Sequence, residues 1–340
     1  MTYQTKALTF TALAAATVLA LSGCSATSAT SAPSKALVVV ATTTQVADFS
    51  REIAGTAGTV TGLVQANQSV HSFDPSAANL LALAAADVLV TNGVDLESWL
   101  GDTIKASGFA GTVIDASTGV TLLAAGESAD THARKAAATS GTGSHNDHGA
   151  NDPHIWTNPA NAILMVENIA AGFAAADPAQ STAFETNAAA YVEKLTALNN
   201  WAKASIDQVP VAERLLVTNH DAFTYFYNAY GITFVGSIIP SLEDNAEPSA
   251  AELDNLIAAI RASGAKAVFS EASLSPKLAE TIAQEAGVKV YSGENALFAD
   301  SLGAADSAGA TYLSATIHNV TVLMDSWGYV ALPLPATLAV

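Results

Sequence analysis

Three histidines stand at positions where side chains can meet. His154 lies in Asn151-Asp152-Pro153-His154-Ile155-Trp156-Thr157-Asn158-Pro159, at the end of an irregular stretch. Asn158 is a good N-cap and Pro159 suits the first position of the helix that follows. His71 lies in His71-Ser72-Phe73-Asp74-Pro75, again ahead of a cap and a proline that open a helix. His220 follows the apolar run Leu215-Leu216-Val217-Thr218-Asn219, at the end of a strand. Side chains so placed are held by regular structure yet reach out of it. Neutral imidazole is a good ligand for zinc and other late first-row ions, and a carboxylate can complete the shell. Asp300, in a loop after the last strand, is the candidate fourth ligand. His318 serves as a contrast: it sits inside the closing helix and reads as structural.

The elements that must carry these residues alternate. Ala36 to Ala41 is a continuous apolar run, the signature of a buried parallel strand. Thr42-Thr43-Thr44 then offers caps for a helix through Ile53, stopped by Gly55. Strands over 58–64, 87–91 and 111–115 alternate with helices over 75–85 and 96–106. The second half repeats the theme. Strands over 214–218, 232–239, 267–270 and 288–291 alternate with helices over 222–230, 249–262 and 275–286, and a helix over 310–327 closes the chain. Such alternation predicts α/β lobes with mainly parallel sheets and flanking helices, in which ligands bind beyond the carboxyl ends of strands. Between the halves, a helix from Pro178 to about Val209 carries Phe184, Ala188, Tyr191, Leu195 and Leu198 at four-three-four-three spacing. That is one apolar stripe, and about 28 residues make a rod of about 40 Å. The fold class is therefore α/β, with two lobes bridged by one long rigid helix.

The remaining segments set location. Residues 1–23 read as a lipoprotein signal peptide, because small residues in Leu21-Ser22-Gly23 precede Cys24, the one cysteine of the chain. Cys24 is the expected lipidation site, and residues 24–36 form a flexible tether rich in Ser, Ala and Thr. Lipid would hold the protein extracytoplasmically at the cell membrane. The first lobe spans 37–177, the connecting helix 178–210 and the second lobe 211–328; the apolar tail 329–340 has no assigned role. Residues 127–151 are rich in Gly, Ser, Ala and Thr and carry three histidines; His145 and His148 there are candidates for an auxiliary metal-binding loop. Acidic residues number 31 against 13 basic ones, for a formal charge of −18. That balance argues against nucleic acid and anionic lipid as partners.

The segments His71-Ser72-Phe73-Asp74-Pro75-Ser76, Asp152-Pro153-His154-Ile155-Trp156, Asn219-His220-Asp221-Ala222-Phe223, Glu247-Pro248-Ser249 and Asp300-Ser301-Leu302-Gly303 occur in an order and spacing that resembles one known family. It is the ZnuA/TroA-like family of zinc- and manganese-binding lipoproteins of ABC importers. The resemblance runs from about Leu37 to Gly328. It implies a metal buried between two lobes and held by His71, His154, His220 and Asp300. It implies as partners an importer permease and its ATPase, with the binding protein a monomer. Within that family a histidine at the third ligand position goes with Zn2+ more than Mn2+, and three nitrogens with one carboxylate agree with zinc. Ser69-Val70 replaces a frequent Asp-Pro before the first histidine, and the histidine-bearing loop is thin, so Mn2+ stands as the alternative cargo. A long rigid helix predicts that release involves local rearrangement around Asp300 and His220, not wide lobe closure.

A zinc-dependent hydrolase is the lesser alternative. Catalytic zinc keeps an open position and a nearby base. No His-Glu-x-x-His helix occurs here, and Asp300 would close the shell. Glu271, at a strand end, is the one candidate base; it reads better as a hydrogen-bond partner of a ligand histidine. A surface adhesin would need repeats or exposed strand arrays that the sequence lacks. The expectation is a carrier rather than an enzyme.

Overall fold

The structure is a computed structural model and describes residues 35–124 and 151–339. Cys24, His145 and His148 lie outside the described residues.

In the first half, β1 (Leu37–Ala41), β2 (Gly58–Gly62), β3 (Val88–Thr91) and β4 (Thr112–Asp115) form one parallel sheet in the order β2-β1-β3-β4. The β1 run Leu-Val-Val-Val-Ala is apolar on both faces because both are covered. Val39 and Ala41 join the main core, while Val40 packs with Leu63, Leu83 and Leu89 on the other side. α1 (Thr44–Ala54) is capped by the Thr43 hydroxyl, which accepts from Val46 N–H, and ends at Gly55. α4 (Pro159–Ala176) begins with Asn158 accepting from Ala160 N–H. It lies close on β4 at Gly172, where a Cβ would stand 2.2 Å from Ile114 Cδ1.

The second half contains β5 (Leu215–His220), β6 (Thr233–Ile239), β7 (Ala267–Phe269) and β8 (Lys289–Tyr291). They form two parallel ladders, β5-β6 and β7-β8, with β5 lying alongside β7. Around them are α6 (Thr224–Tyr230), α7 (Ala250–Ser263), α8 (Lys277–Ala286) and α9 (Tyr312–Trp327). The predicted capping box of Ser249 and Glu252 opens α7, and Thr311 with Ser314 opens α9 in the same way.

Between the halves runs α5 (Ser181–Ile206), 26 residues long. The whole stripe Phe184, Ala188, Tyr191, Leu195 and Leu198 is buried. α5 packs against α1 and α4 on one side of the chain and α9 on the other. One hydrophobic core therefore passes through both halves, from Leu37 and Val39 through the α5 stripe to Val320, Leu323 and Trp327. The tail, unassigned from sequence, is strapped along α5. Trp201 donates its indole N–H to Leu332 O at 2.8 Å, Leu332 N–H reaches Ser205 Oγ at 3.1 Å, and Leu338 enters the core.

Several elements differ by two or more residues from the expected bounds, and α2, α3 and the connecting helix show the local cause. α2 (Ala77–Ala84) starts after Pro75, because Ser76 and Asn79 form the capping box there. α3 (Leu100–Ser107) starts four residues later than expected. Gly93, Val94 and Asp95 take positive φ, and the Glu97 carboxylate accepts the N–H groups of Asn92 and Gly93, so this stretch is a tight turn rather than a helix. The connecting helix opens with a separate 3-10 turn, Pro178–Gln180, before α5.

Candidate metal centre

Each ligand candidate is delivered by a different device. His220 is the last residue of β5. His154 precedes a 3-10 turn, Ile155–Thr157, whose Thr157 hydroxyl donates back to His154 O at 2.9 Å. His71 sits in the irregular connection between β2 and α2, where Trp99 donates its indole N–H to Val70 O at 2.9 Å. Asp300 follows the 3-10 turn after β8. All four are buried, and they converge so that one ligand atom from each lies within 4.8 Å of the others.

The three imidazoles turn their Nε2 atoms toward the Asp300 carboxylate. His71 and His220 approach Oδ2 at 3.1 Å, and His154 approaches Oδ1 at 3.3 Å. The Nε2 atoms of His71 and His154 are 3.4 Å apart. Donors around a tetrahedral ion with bonds of about 2.0–2.1 Å stand about 3.3 Å apart. Yet the orientations leave both Asp300 oxygens and His220 Nε2 without a hydrogen bond. Buried polar atoms in that state are costly unless something else satisfies them. The donor set and its spacing fit a divalent cation.

The other ring nitrogens face carboxylates. His154 donates its Nδ1–H to Asp152 Oδ1 at 2.7 Å, and the same oxygen accepts the His154 backbone N–H. His220 repeats the arrangement: Nδ1–H and backbone N–H both go to Glu271 Oε1, at 2.6 and 3.0 Å. His71 Nδ1 faces Glu243 Oε1 at 3.6 Å. A carboxylate can only accept, so the Asp152 and Glu271 contacts fix, for His154 and His220, the tautomer that leaves Nε2 free to ligate.

Burial favours neutral imidazole, but the carboxylates outweigh it. His71 is raised to about 10, with Asp300 the main opposing influence. His154 is raised by Asp152 and Asp300, and His220 well above the ordinary range by Asp300 and Glu271. Burial alone would raise Asp300, but the three imidazoles hold its carboxyl well below the usual range. The cluster seeks positive charge, which protons or a divalent ion can supply.

The family described as "Zinc-uptake complex component A periplasmic" matches residues 39–326. The chain belongs to this ZnuA family. It is similar to the zinc-binding protein AdcA of Streptococcus pyogenes serotype M3, with 34% identity over 256 residues, 74% of this chain and 48% of AdcA. It thus spans about half the length of these AdcA relatives. It is also similar to the manganese-binding lipoprotein MntA of Bacillus subtilis, with 30% identity over 310 residues, 89% of this chain and 94% of MntA. Among solved structures, the periplasmic zinc binding protein TroA from Treponema pallidum superposes with a TM-score of 0.72. That match has 23% identity and covers 86% of this chain and 99% of TroA, which shows the two-lobe fold.

The four residues singled out from sequence come together, and Glu271 sits on His220. His318 lies apart, its Nε2–H donating to Ala296 O at 2.9 Å. Sequence reasoning missed Asp152 and Glu243 as histidine partners, and Trp156 and Gln45 as supports. Asp152 carried a signal, standing two residues before His154 next to a proline. Glu243 carried none, since it reaches His71 from the other half of the chain.

Proposed function

We propose that this chain captures a divalent first-row ion between its lobes and hands it to the permease and ATPase of an ABC importer. His71, His154, His220 and Asp300 are the ligands, and Zn2+ is the preferred cargo. The observation that carries the reading is the convergence of three Nε2 atoms on one buried carboxylate at 3.1–3.3 Å. Three nitrogens and one carboxylate suit zinc, whereas Mn2+ favours oxygen-rich six-coordinate shells. Zinc in the family description supports this; the manganese named for MntA, which matches nearly end to end, keeps Mn2+ as the second reading.

The site also reads as a carrier rather than a hydrolase. Asp300 takes the fourth position, and Glu271, the one base proposed for hydrolysis, is engaged by two N–H groups of His220. The location follows from the sequence: a signal peptide over 1–23, lipidation at Cys24 and a tether to residue 36 would hold a monomer outside the membrane beside its permease.

The test is a metal competition on residues 25–340. The protein is stripped, dialysed against equal Zn2+ and Mn2+, and the bound metal counted beside His220→Glu. The expected result is one zinc per chain, with the variant's zinc affinity at least about tenfold lower. Retained manganese would replace the cargo, and no retained metal would overturn the reading.

A further inference from the structure

The three histidine–carboxylate contacts are not equivalent. Asp152 and Glu271 are buried, each grips a backbone N–H as well as a ring N–H, and each belongs to the same half of the chain as its histidine. Those two contacts persist whatever the halves do relative to each other. The third differs on every count. His71 comes from the first half and Glu243 from the loop after β6 in the second. The gap is 3.6 Å, and the Glu243 side chain keeps 21% of its surface exposed while that of His71 is fully covered.

The Glu243 loop is anchored beside another ligand. Ser241 O accepts the backbone N–H of Asp221, which follows His220 directly, and Ser241 Oγ accepts Glu243 N–H at 3.0 Å. Glu243 is thus tied to the His220 side of the site while its carboxylate faces His71 on the other. His71, like Asp300, stands in irregular chain on neither strand nor 3-10 turn, whereas His220 closes β5 and His154 abuts a 3-10 turn.

We propose that Glu243 is a positioning residue that holds His71 toward the ion across the interlobe boundary and sets how fast the metal leaves. Resting on the proposed metal site, this assigns control of release to the contact that local loop movement breaks most easily. When the Glu243 loop swings away, His71 loses the carboxylate that faces its Nδ1 and can rotate off the ion. His154 and His220 keep theirs. The shell then opens from the His71 side.

The experiment loads residues 25–340 with Zn2+ and follows its release into excess chromophoric chelator by stopped flow. Wild type is compared with E243Q, E243D and, as an intralobe control, E271Q; the melting temperature of each metal-free protein is recorded. E243Q is expected to release zinc about tenfold faster or more, with the metal-free melting temperature unchanged. E243D keeps the charge with a shorter reach and should fall between E243Q and wild type. E271Q, which disturbs a buried contact, should lower the metal-free melting temperature as well. Release from E243Q within about twofold of wild type, with zinc retained by wild type, would overturn this proposal alone. Failure of wild type to hold zinc would overturn the metal reading and this one with it.

Discussion

Trp156 donates its indole N–H to the carbonyl of Ala299 at 3.1 Å. This joins the residue two places after His154 to the residue just before Asp300. Gln45 of α1 donates to the same carbonyl at 3.0 Å, and Leu302 N–H reaches Thr44 Oγ1 at 2.8 Å. Asn67 N–H reaches Ser301 Oγ at 2.8 Å. The Asp300 loop belongs to the second half in sequence but is fastened to the first half in space.

That fastening predicts a coupled pair of variants. Trp156→Phe and Gln45→Leu each remove one donor to Ala299 O, and each should cost about 1 kcal/mol of stability. The double variant leaves Ala299 O without either side-chain donor and should weaken zinc binding by about tenfold, more than the singles multiplied together. Calorimetric titration of the four proteins checks this; strictly additive losses would show that Asp300 is held by other means.

The raised histidines predict a pH dependence with a definite sign. His71 at about 10 in the folded protein exceeds its ordinary 6.5. Without metal, its protonated form therefore contributes stability that is complete below about 6.5 and is lost as pH rises towards 10. The metal-free melting temperature should fall across that window, and metal loading should flatten the fall. Binding must displace protons throughout it, so zinc affinity should keep rising above pH 8. Titrations at pH 7.5 in buffers of different ionisation heat should report at least one proton released per zinc.

Asp48 offers an independent test away from the candidate metal centre. Burial raises its carboxyl from 3.8 to about 6, although it accepts Tyr312 N–H at 2.9 Å. A raised carboxyl is most favourable when protonated, so its contribution is lost as pH climbs through about 6. Asp48→Asn keeps an acceptor for Tyr312 without the charge. It should stabilise the protein by about 1–3 kcal/mol at pH 8 and by little at pH 4. Denaturant midpoints at the two pH values check it.

The tail should matter to the fold. Leu338 is buried against the main core, and Trp201 depends on Leu332 O for its indole hydrogen bond. Leu338→Ala should cost about 2 kcal/mol. Thermal melts of this variant and of a chain ending at residue 330 should both fall, the truncation further.

The sequence made the histidines and the alternating elements legible because each rests on local rules. Asn158 caps what it was expected to cap, and the stripe from Phe184 to Leu198 is buried throughout. Reading stopped where contacts become non-local. Glu97 bends Asn92 and Gly93 into a turn and delays α3, since a buried carboxylate needs N–H donors more than residues 96–99 need a helix. Glu243 reaches His71, and Gln45 reaches Ala299, only because the fold superimposes distant segments. The tail looked like a leftover because its partners, Trp201 and Ser205, lie on a helix whose outward face gives no hint of a visitor.

The core that passes through α5 without a break has a thermodynamic consequence. Neither lobe can melt and leave the other intact, because each would strip the shared helix of half its cover and expose Leu195 and Leu198. The two lobes should unfold as one cooperative unit, with calorimetric and van't Hoff enthalpies equal. An ion buried between them would then stabilise residues at both far ends of the molecule equally, by mass action alone.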